Sequence, residues 1–196
     1  MKPSDIALVV GLQLAFLDGS VVTELGARFL TRFQTCALAH ASACGFVARD
    51  SDSRIVGFAL GSVDVDRFNR DVKPRVFWSL VWSLLNGRLR LLPSILRSIV
   101  EAPPQPHLDA ELLLLVVEPR ARRSGVGGAL LQAVEEEFAR HEVSRYRVAV
   151  RSHLGGARAF YIARRFEYEL ERSVLGRPMV YLTKRIGLHD SAPRPQ

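Results

Sequence analysis

The feature that most constrains the fold is a continuous apolar run that leads through a glycine-rich turn into a helical pattern. The run is residues 111–117 (ELLLLVV), and the turn is residues 119–128 (PRARRSGVGG). An uninterrupted apolar stretch of this length is typical of a strand that is buried on both faces at the centre of a sheet. Apolar residues then recur every fourth position from Val126 to Phe138, which predicts an amphipathic helix over 125–141. The sequence therefore predicts a strand–turn–helix unit as the core of an α/β fold.

Helices and strands alternate along the rest of the chain. The patterns predict further helices ending near residue 17 and over 21–43 and 155–165. They predict further strands over 45–49, 54–63, 145–151, 166–174 and 178–184, with Glu167, Glu169 and Glu171 on the outer face of the closing hairpin. This arrangement predicts one domain over residues 1–186, built on a mixed central sheet flanked by helices, and a disordered tail over 187–196.

Residues 64–108 interrupt this alternation and predict a helical insertion before the central strand. Two amphipathic stretches, 74–85 and 88–100, are followed by the loop APPQPH. We expect the two helices to pack on each other and on the sheet, or to form a homodimer contact. In the alternative interpretation they form a lid in which Trp78 and Trp82 contact an amphiphilic acceptor at a membrane surface.

Composition excludes several classes of protein. The two cysteines lie in no CxxC pattern and the five histidines in no ligand spacing, so we expect no disulfide framework and no metal. No apolar run reaches the length of about 18 residues that a membrane span needs, and we expect a cytoplasmic protein. The net charge of +7 suits a polyanionic partner. Nucleic acid is not that partner, because the arginines are scattered and no basic strand carries interleaved aromatic residues.

The glycine-rich turn predicts an anion site. Glycines at the start of a helix are costly unless a ligand approaches the backbone there, and free N–H groups at a helix N-terminus attract anions. No Gly-Lys-Ser/Thr follows, which excludes a Walker loop, and Leu130 stands where the dinucleotide fingerprint needs a small residue.

The pattern VxPxxRxxGxG, which starts at Val117, resembles the pyrophosphate-binding motif of the GNAT superfamily of N-acetyltransferases. The resemblance implies a GNAT-like fold and acetyl-CoA as co-substrate. It places the cofactor against the end of the central strand and the turn: Val116, Val117, Arg122, Arg123, Ser124, Gly125, Val126, Gly127, Gly128 and Ala129.

A second family pattern, AxxFY, covers Ala157 to Tyr161. It departs from the usual form in two places: Leu154 replaces an asparagine, and Arg165 replaces a glycine. The missing glycine implies a different exit from the helix. The resemblance implies that Tyr161 is the general acid and that Glu111 is the general base, with His153 as an alternative base. It also implies an oxyanion donor near Val117, where the central strand splays from its neighbour.

Two functions remain open on this evidence. The first is acetyl transfer from acetyl-CoA to a primary amine of a small molecule, an amino sugar or a protein, by direct attack in a ternary complex. The second is a non-catalytic CoA-binding or scaffold domain of the same fold, which the two departures favour. In this family a strand usually precedes the first helix, and Met1-Lys2-Pro3 leaves little room for it.

Overall fold

Six strands form one mixed sheet in the order β1-β2-β3-β4-β6-β5. A computed structural model describes residues 1–17, 21–93, 110–174 and 176–187. The strands are β1 (Ala43–Arg49), β2 (Ile55–Ser62), β3 (Ala110–Val117), β4 (Arg145–Arg151), β5 (Glu167–Val174) and β6 (Arg177–Arg185). The helices are α1 (Ile6–Phe16), α2 (Val21–Glu24), α3 (Ala27–Leu38), α4 (Val65–Ser83), α5 (Val126–Arg140) and α6 (Gly155–Ile162). The mixed sheet and its flanking helices confirm the predicted fold class.

The central strands β3 and β4 run parallel but pair over only a short length. Their Cα partners are Ala110 with Tyr146, Glu111 with Arg147, and Leu112 with Val148. Beyond Leu112, β3 continues to pair with β2 as far as Val117, so β3 and β4 separate. The predicted splay of the central strand is present, and it leaves a gap between the two strands at their carboxyl ends.

Helices cover both faces of the sheet. On one face, Leu130 and Val134 of α5 pack with Ala110 and Leu112 of β3 and with Tyr161 of α6. On the other face, α1, α3 and α4 share a second apolar cluster with Leu60 of β2. Successive side chains of a strand point to opposite faces. In β3 and β4, the residues that alternate with the α5-facing positions therefore point to the opposite face. We refer to this face, which α1, α3 and α4 cover, as the α1/α3/α4 face.

Two predicted helices have different bounds. The stretch 21–43 is divided at Gly26, whose φ of 85° is incompatible with a continuous helix, and strand β1 already begins at Ala43. The insertion helix α4 starts nine residues before the predicted Pro74, because the Asp64 carboxylate accepts a hydrogen bond from the Arg67 N–H (2.8 Å) and caps it. Burial of Phe68 and Val72 then favours the helix despite the cost of Pro74 within it.

The second helix of the predicted insertion is described only in part. After α4 the chain kinks at Asn86 and Gly87, whose backbone angles are not helical, and continues into a short 3-10 helix, Leu89–Leu91. The rest of that helix, the loop APPQPH and residues 188–196 of the predicted tail lie outside the described residues. In the described part of the chain, no helix is long and apolar enough to cross a membrane.

Candidate active site

The glycine-rich turn joins the end of β3 to the start of α5. Pro119–Ala121 form a short 3-10 helix, and the Arg122 Nε donates to the Val117 carbonyl oxygen (3.1 Å), which directs this arginine back over the strand end. Gly125 has a φ of 87°, a conformation that a residue with a side chain rarely adopts. The first intrahelical bond runs from the Ala129 N–H to the Gly125 carbonyl oxygen. The N–H groups of the first turn before Ala129 therefore have no acceptor within the helix.

Gly127 and Gly128 allow α6 to approach the start of α5. A Cβ atom on Gly127 would lie 3.3 Å from the Phe160 ring, and one on Gly128 would lie 3.2 Å from the Arg164 guanidinium. Both contacts are tighter than a side chain normally makes. A side chain at Gly127 or Gly128 would therefore displace the Phe160 ring or the Arg164 guanidinium by a few tenths of an ångström, whether or not a ligand is bound.

A cleft of about 980 Å³ opens between the glycine-rich turn, the end of β3, α6 and the end of α1. We refer to it as the cofactor cleft. Seven of the ten predicted cofactor residues line it: Val116, Val117, Arg122, Arg123, Gly125, Gly127 and Gly128. The remaining three do not. The Ser124 hydroxyl donates to the Ala121 carbonyl oxygen (2.8 Å), and Val126 packs against the apolar core.

Two further arginines, which sequence reasoning missed, line the cofactor cleft. Arg151 lies at the end of β4, and Arg164 follows α6. The Arg164 guanidinium stacks 3.8 Å above the Phe160 ring and donates to the Phe160 carbonyl oxygen (3.0 Å). A cation held in this way loses little further rotamer freedom when an anion binds. The only sequence signal for Arg164 is its spacing of four residues from Phe160.

Tyr161 lines the cleft from α6 and is buried between Phe160 and Phe166. Burial raises the pKa of its phenol, so the hydroxyl is protonated at neutral pH.

Leu154 lines the same cleft where the family has an asparagine. Arg165 has a φ of 65°, the left-handed conformation that glycine favours. The expectation of a different helix exit is therefore wrong, because the backbone adopts the conformation that glycine would give.

Glu111 does not line the cofactor cleft. It lies at the start of β3 on the α1/α3/α4 face, where the Arg147 Nε donates to its Oε2 (3.0 Å). The side chains of Glu111 and Arg147 are only 16% and 4% exposed. Burial raises the pKa of the Glu111 carboxyl, the Arg147 guanidinium lowers it, and the charge of Glu169 raises it.

Glu169 faces inward, contrary to the prediction for the closing hairpin. The pairing of β5 with β6 shifts register between Tyr168 and Leu170, and this bulge breaks the strict alternation of side chains. In the described structure the Glu169 Oε2 is buried and accepts no hydrogen bond. Tyr181 of β6 lies on the same face, and the Arg147 guanidinium is 5.6 Å from its ring. Glu111, Arg147, Tyr181 and Glu169 thus follow one another across one face of the sheet.

The remaining predicted site residues lie elsewhere. His153 is exposed and does not line the cofactor cleft. Trp78 and Trp82 lie on α4, also outside the cleft lining. Among the described residues no group of histidine, cysteine and carboxylate side chains could hold a metal ion.

The model of the acetyltransferase (GNAT) family matches residues 19–168 of this sequence. The match spans the sheet from β1 into β5 and includes the glycine-rich turn and α6. The chain belongs to the GNAT family of acetyltransferases. A search of curated protein sequences finds no match.

Solved structures share the fold over most of the chain. SsHAT is 22% identical with a TM-score of 0.62, and the similarity covers 95% of this chain and 96% of SsHAT. The PaiA N-acetyltransferase from Thermoplasma acidophilum, solved in complex with coenzyme A, is 13% identical with a TM-score of 0.61 and coverage of 94% and 95%. The ribosomal-protein-S18-alanine N-acetyltransferase from Escherichia coli is 16% identical with a TM-score of 0.51 and coverage of 84% and 81%. At these identities the likeness establishes the fold alone.

Proposed function

We propose that this protein transfers an acetyl group from acetyl-CoA to a primary amine, within one domain and by direct attack in a ternary complex. The observation that carries the proposal is the cofactor cleft, which combines free helix N–H groups with four arginines where β3 and β4 separate. The four are Arg122, Arg123, Arg151 and Arg164. A pyrophosphate and a ribose phosphate carry the charge that such a site neutralises.

The chain's residues fit the phosphate-bearing part of CoA in both charge and shape. Gly125 and Gly127 keep the backbone accessible, and Arg122 is already oriented by its bond to the Val117 carbonyl oxygen. The apolar walls supplied by Leu115 and Leu154 suit the pantetheine arm, which needs few polar contacts. This lining supports CoA binding although the family's asparagine is missing.

The proposed chemistry uses groups on both faces of the sheet. The amine nitrogen forms a bond to the thioester carbonyl carbon, and the carbon–sulfur bond breaks. We assign the amine proton to the Glu111 carboxylate, directly or through water, and we assign to the Tyr161 hydroxyl the protonation of the departing sulfur. A backbone N–H of β3 beyond Leu112, where β4 no longer pairs with the strand, would stabilise the carbonyl oxygen.

The two proposed catalytic residues suit opposite roles because of where they lie. Tyr161 belongs to the apolar cluster on the α5 face and borders the cofactor cleft. Glu111 lies on the α1/α3/α4 face at the point where the gap between β3 and β4 begins. A thioester that enters the gap from the cleft would have the acid on its own side and the base on the acceptor side.

Release of free thiol from acetyl-CoA in the presence of a panel of amines tests the proposal. The panel should contain small amines, amino sugars and peptides with a free amino terminus. We expect amine-dependent thiol release that is lost in the Glu111→Gln variant, with calorimetric CoA binding retained.

A CoA-binding scaffold without catalytic activity is the second candidate, favoured by Leu154 in the cleft. It predicts the same CoA binding with no amine-dependent thiol release for any member of the panel. We further propose a cytoplasmic location, because acetyl-CoA is a metabolite of that compartment and Cys36 and Cys44 are both free.

A further inference from the structure

Helix α4 presents a large apolar surface to solvent. Val72 and Val76 are buried against α3, whereas Trp78 is 75% exposed and Trp82 is 51% exposed. Phe77 and Leu85 are also exposed, and the Phe77 and Trp78 rings are in contact, with centroids 5.5 Å apart. We refer to Phe77, Trp78, Trp82 and Leu85 as the aromatic surface. Helix α4 thus packs on α3 through one stripe, while both tryptophans lie at its surface; the expected homodimer contact stays a prediction.

The segment that carries the aromatic surface, positions 72–93, is basic and contains no acidic residue. Positions 72–93 carry Lys73, Arg75, Arg88 and Arg90 and no Asp or Glu, and α3 adds Arg28 and Arg32. The Arg28 guanidinium lies 4.7 Å above the Trp82 ring. The preceding acidic residue, Asp71, contacts the His40 Nε2 (3.1 Å), so its charge is engaged elsewhere.

This combination of groups identifies the partner. Tryptophan and leucine side chains enter the boundary between headgroups and acyl chains, and basic residues beside them attract anionic headgroups. A second copy of the chain is a poorer partner, because a two-fold dimer would place this basic surface against itself. An acidic protein would satisfy the arginines, but it would not by itself account for tryptophans that are exposed to this extent.

The aromatic surface also lies near the end of the sheet at which the cofactor cleft opens. Arg28 is in the first turn of α3, and the preceding Glu24 forms an ion pair with Arg177 at the turn between β5 and β6. That turn and the Arg151 end of β4 are at the same end of the sheet, because Arg151 pairs with Met179 of β6. A membrane bound at α4 would therefore be close to this end of the sheet.

We propose that the aromatic surface of α4, with Arg28, Arg32 and Arg75, binds an anionic lipid bilayer. The inference does not rest on the proposed acetyl transfer, because bilayer binding is measured without acetyl-CoA or an acceptor. It assigns a role to the exposed apolar residues that the cofactor cleft does not use.

Tryptophan fluorescence gives a specific test, because Trp78 and Trp82 are the only tryptophans in the chain. On addition of vesicles of phosphatidylglycerol and phosphatidylcholine, we expect the emission of the full-length protein to shift to shorter wavelength. Phospholipids brominated on the acyl chain should quench it. Vesicles of phosphatidylcholine alone should produce a much smaller effect, and added salt should reverse the binding.

Variants separate the apolar and ionic contributions. In vesicle sedimentation, we expect the double variant Trp78→Ser/Trp82→Ser to lower the partition coefficient about tenfold or more. The double variant Arg28→Gln/Arg75→Gln should remove the preference for anionic vesicles. Tyr168→Ser is the matched control, because Tyr168 is equally exposed but lies on β5; it should leave the partition unchanged.

Four results would overturn the inference. The first is no vesicle binding by the wild-type protein. The second is vesicle binding that the tryptophan variant retains. The third is a dimer in sedimentation velocity that the tryptophan variant abolishes, without vesicle binding, which would assign the surface to a second copy. A raised KM for a soluble amine in that variant, with unchanged vesicle partition, would also overturn it and would assign the tryptophans to acceptor contact instead.

Discussion

The two ends of β3 have opposite physical character. At the carboxyl end, Val117 leads into an open cleft that four arginines and the first N–H groups of α5 line. At the amino end, Glu111 is buried in an ion pair with Arg147, beside the second buried carboxylate of Glu169. One strand thus has an arginine-lined cleft at its carboxyl end and, at its amino end, a buried carboxylate that is paired with an arginine.

This difference suits the carboxyl end of β3 to the proposed binding of CoA and the amino end to the proposed proton transfer. An open cationic site gains affinity from each phosphate oxygen that it contacts, and it does not need a finely tuned pKa. A buried carboxylate gains basicity from its surroundings, because the protein rather than water sets its charge balance. We therefore expect substitutions at the carboxyl end to change CoA affinity and substitutions at the amino end to change the rate.

The largest effect is expected at the binding end. The variant Gly127→Glu places bulk against Phe160 and a negative charge in the cofactor cleft, so CoA affinity should fall by about 100-fold or more. Isothermal calorimetry measures this. Gly11→Glu adds the same group at an exposed position of α1 with open space around it and should bind CoA like the wild type. Unchanged CoA affinity in the Gly127 variant would remove the basis for the cofactor assignment.

At the other end of β3, Glu111→Gln keeps the shape of the side chain and removes the base. We expect kcat to fall by about 100- to 1000-fold while the Kd for CoA stays the same. Steady-state thiol release and calorimetry measure the two quantities. Glu136→Gln, an exposed glutamate on α5, is the matched control. If the Glu111 variant loses CoA affinity but keeps kcat, the two ends of the strand do not divide binding from chemistry.

Tyr161 tests whether position alone separates CoA affinity from catalytic rate, because it lines the cofactor cleft at the carboxyl end of β3 but is proposed as the general acid. Removal of its hydroxyl in Tyr161→Phe should lower kcat by about 10- to 100-fold and leave CoA affinity unchanged. Tyr168→Phe removes a hydroxyl from an exposed ring and should be silent. Full activity in the Tyr161 variant would leave the ring with a packing role beside Phe160 and Phe166.

The smallest expected effect is a shift, along the pH axis, of the acidic limb of the kcat/KM profile. Burial raises the pKa of Glu111 above its ordinary value of 4.5, so kcat/KM should fall with decreasing pH at values above that of a free carboxyl group. Arg147→Gln removes a charge that lowers this pKa and should move the limb to higher pH. Glu169→Gln removes a charge that raises it and should move the limb to lower pH.

The same acceptor titrates identically in all three proteins, so only Glu111 accounts for a difference between their profiles. Displacement of both variants in the same direction would contradict the assignment of Glu111 as the base. Because Arg147 is buried, thermal melting should accompany its measurement.

Local patterns were sufficient for the order of the strands along the chain and for the strand–turn–helix unit that leads from β3 into α5. The apolar run of β3 and the fourfold spacing in α5 each need only periodicity, because burial of one stripe or of a whole strand leaves a direct trace in the sequence. The glycine-rich turn carries its own signal as well, since helix N-termini and positive φ angles are local properties. Gly125 and the arginines beside it were therefore found without tertiary information.

Contacts between distant segments decided the rest. Glu111 meets Arg147 across 36 positions of the chain, and a bulge in β5 turns Glu169 inward, so neither partner could be read from spacing. Gly127 and Gly128 were predicted from the needs of a ligand alone, yet they also leave room for Phe160 of α6 and for Arg164, which follows α6. The sequence by itself determined which segments become strands and helices and where a glycine-rich turn opens α5, because those preferences depend on neighbouring residues. Only the tertiary structure decided which stripe of α4 is buried and which carboxylates are charge-balanced, because burial and pairing depend on surfaces that the chain brings together when it folds.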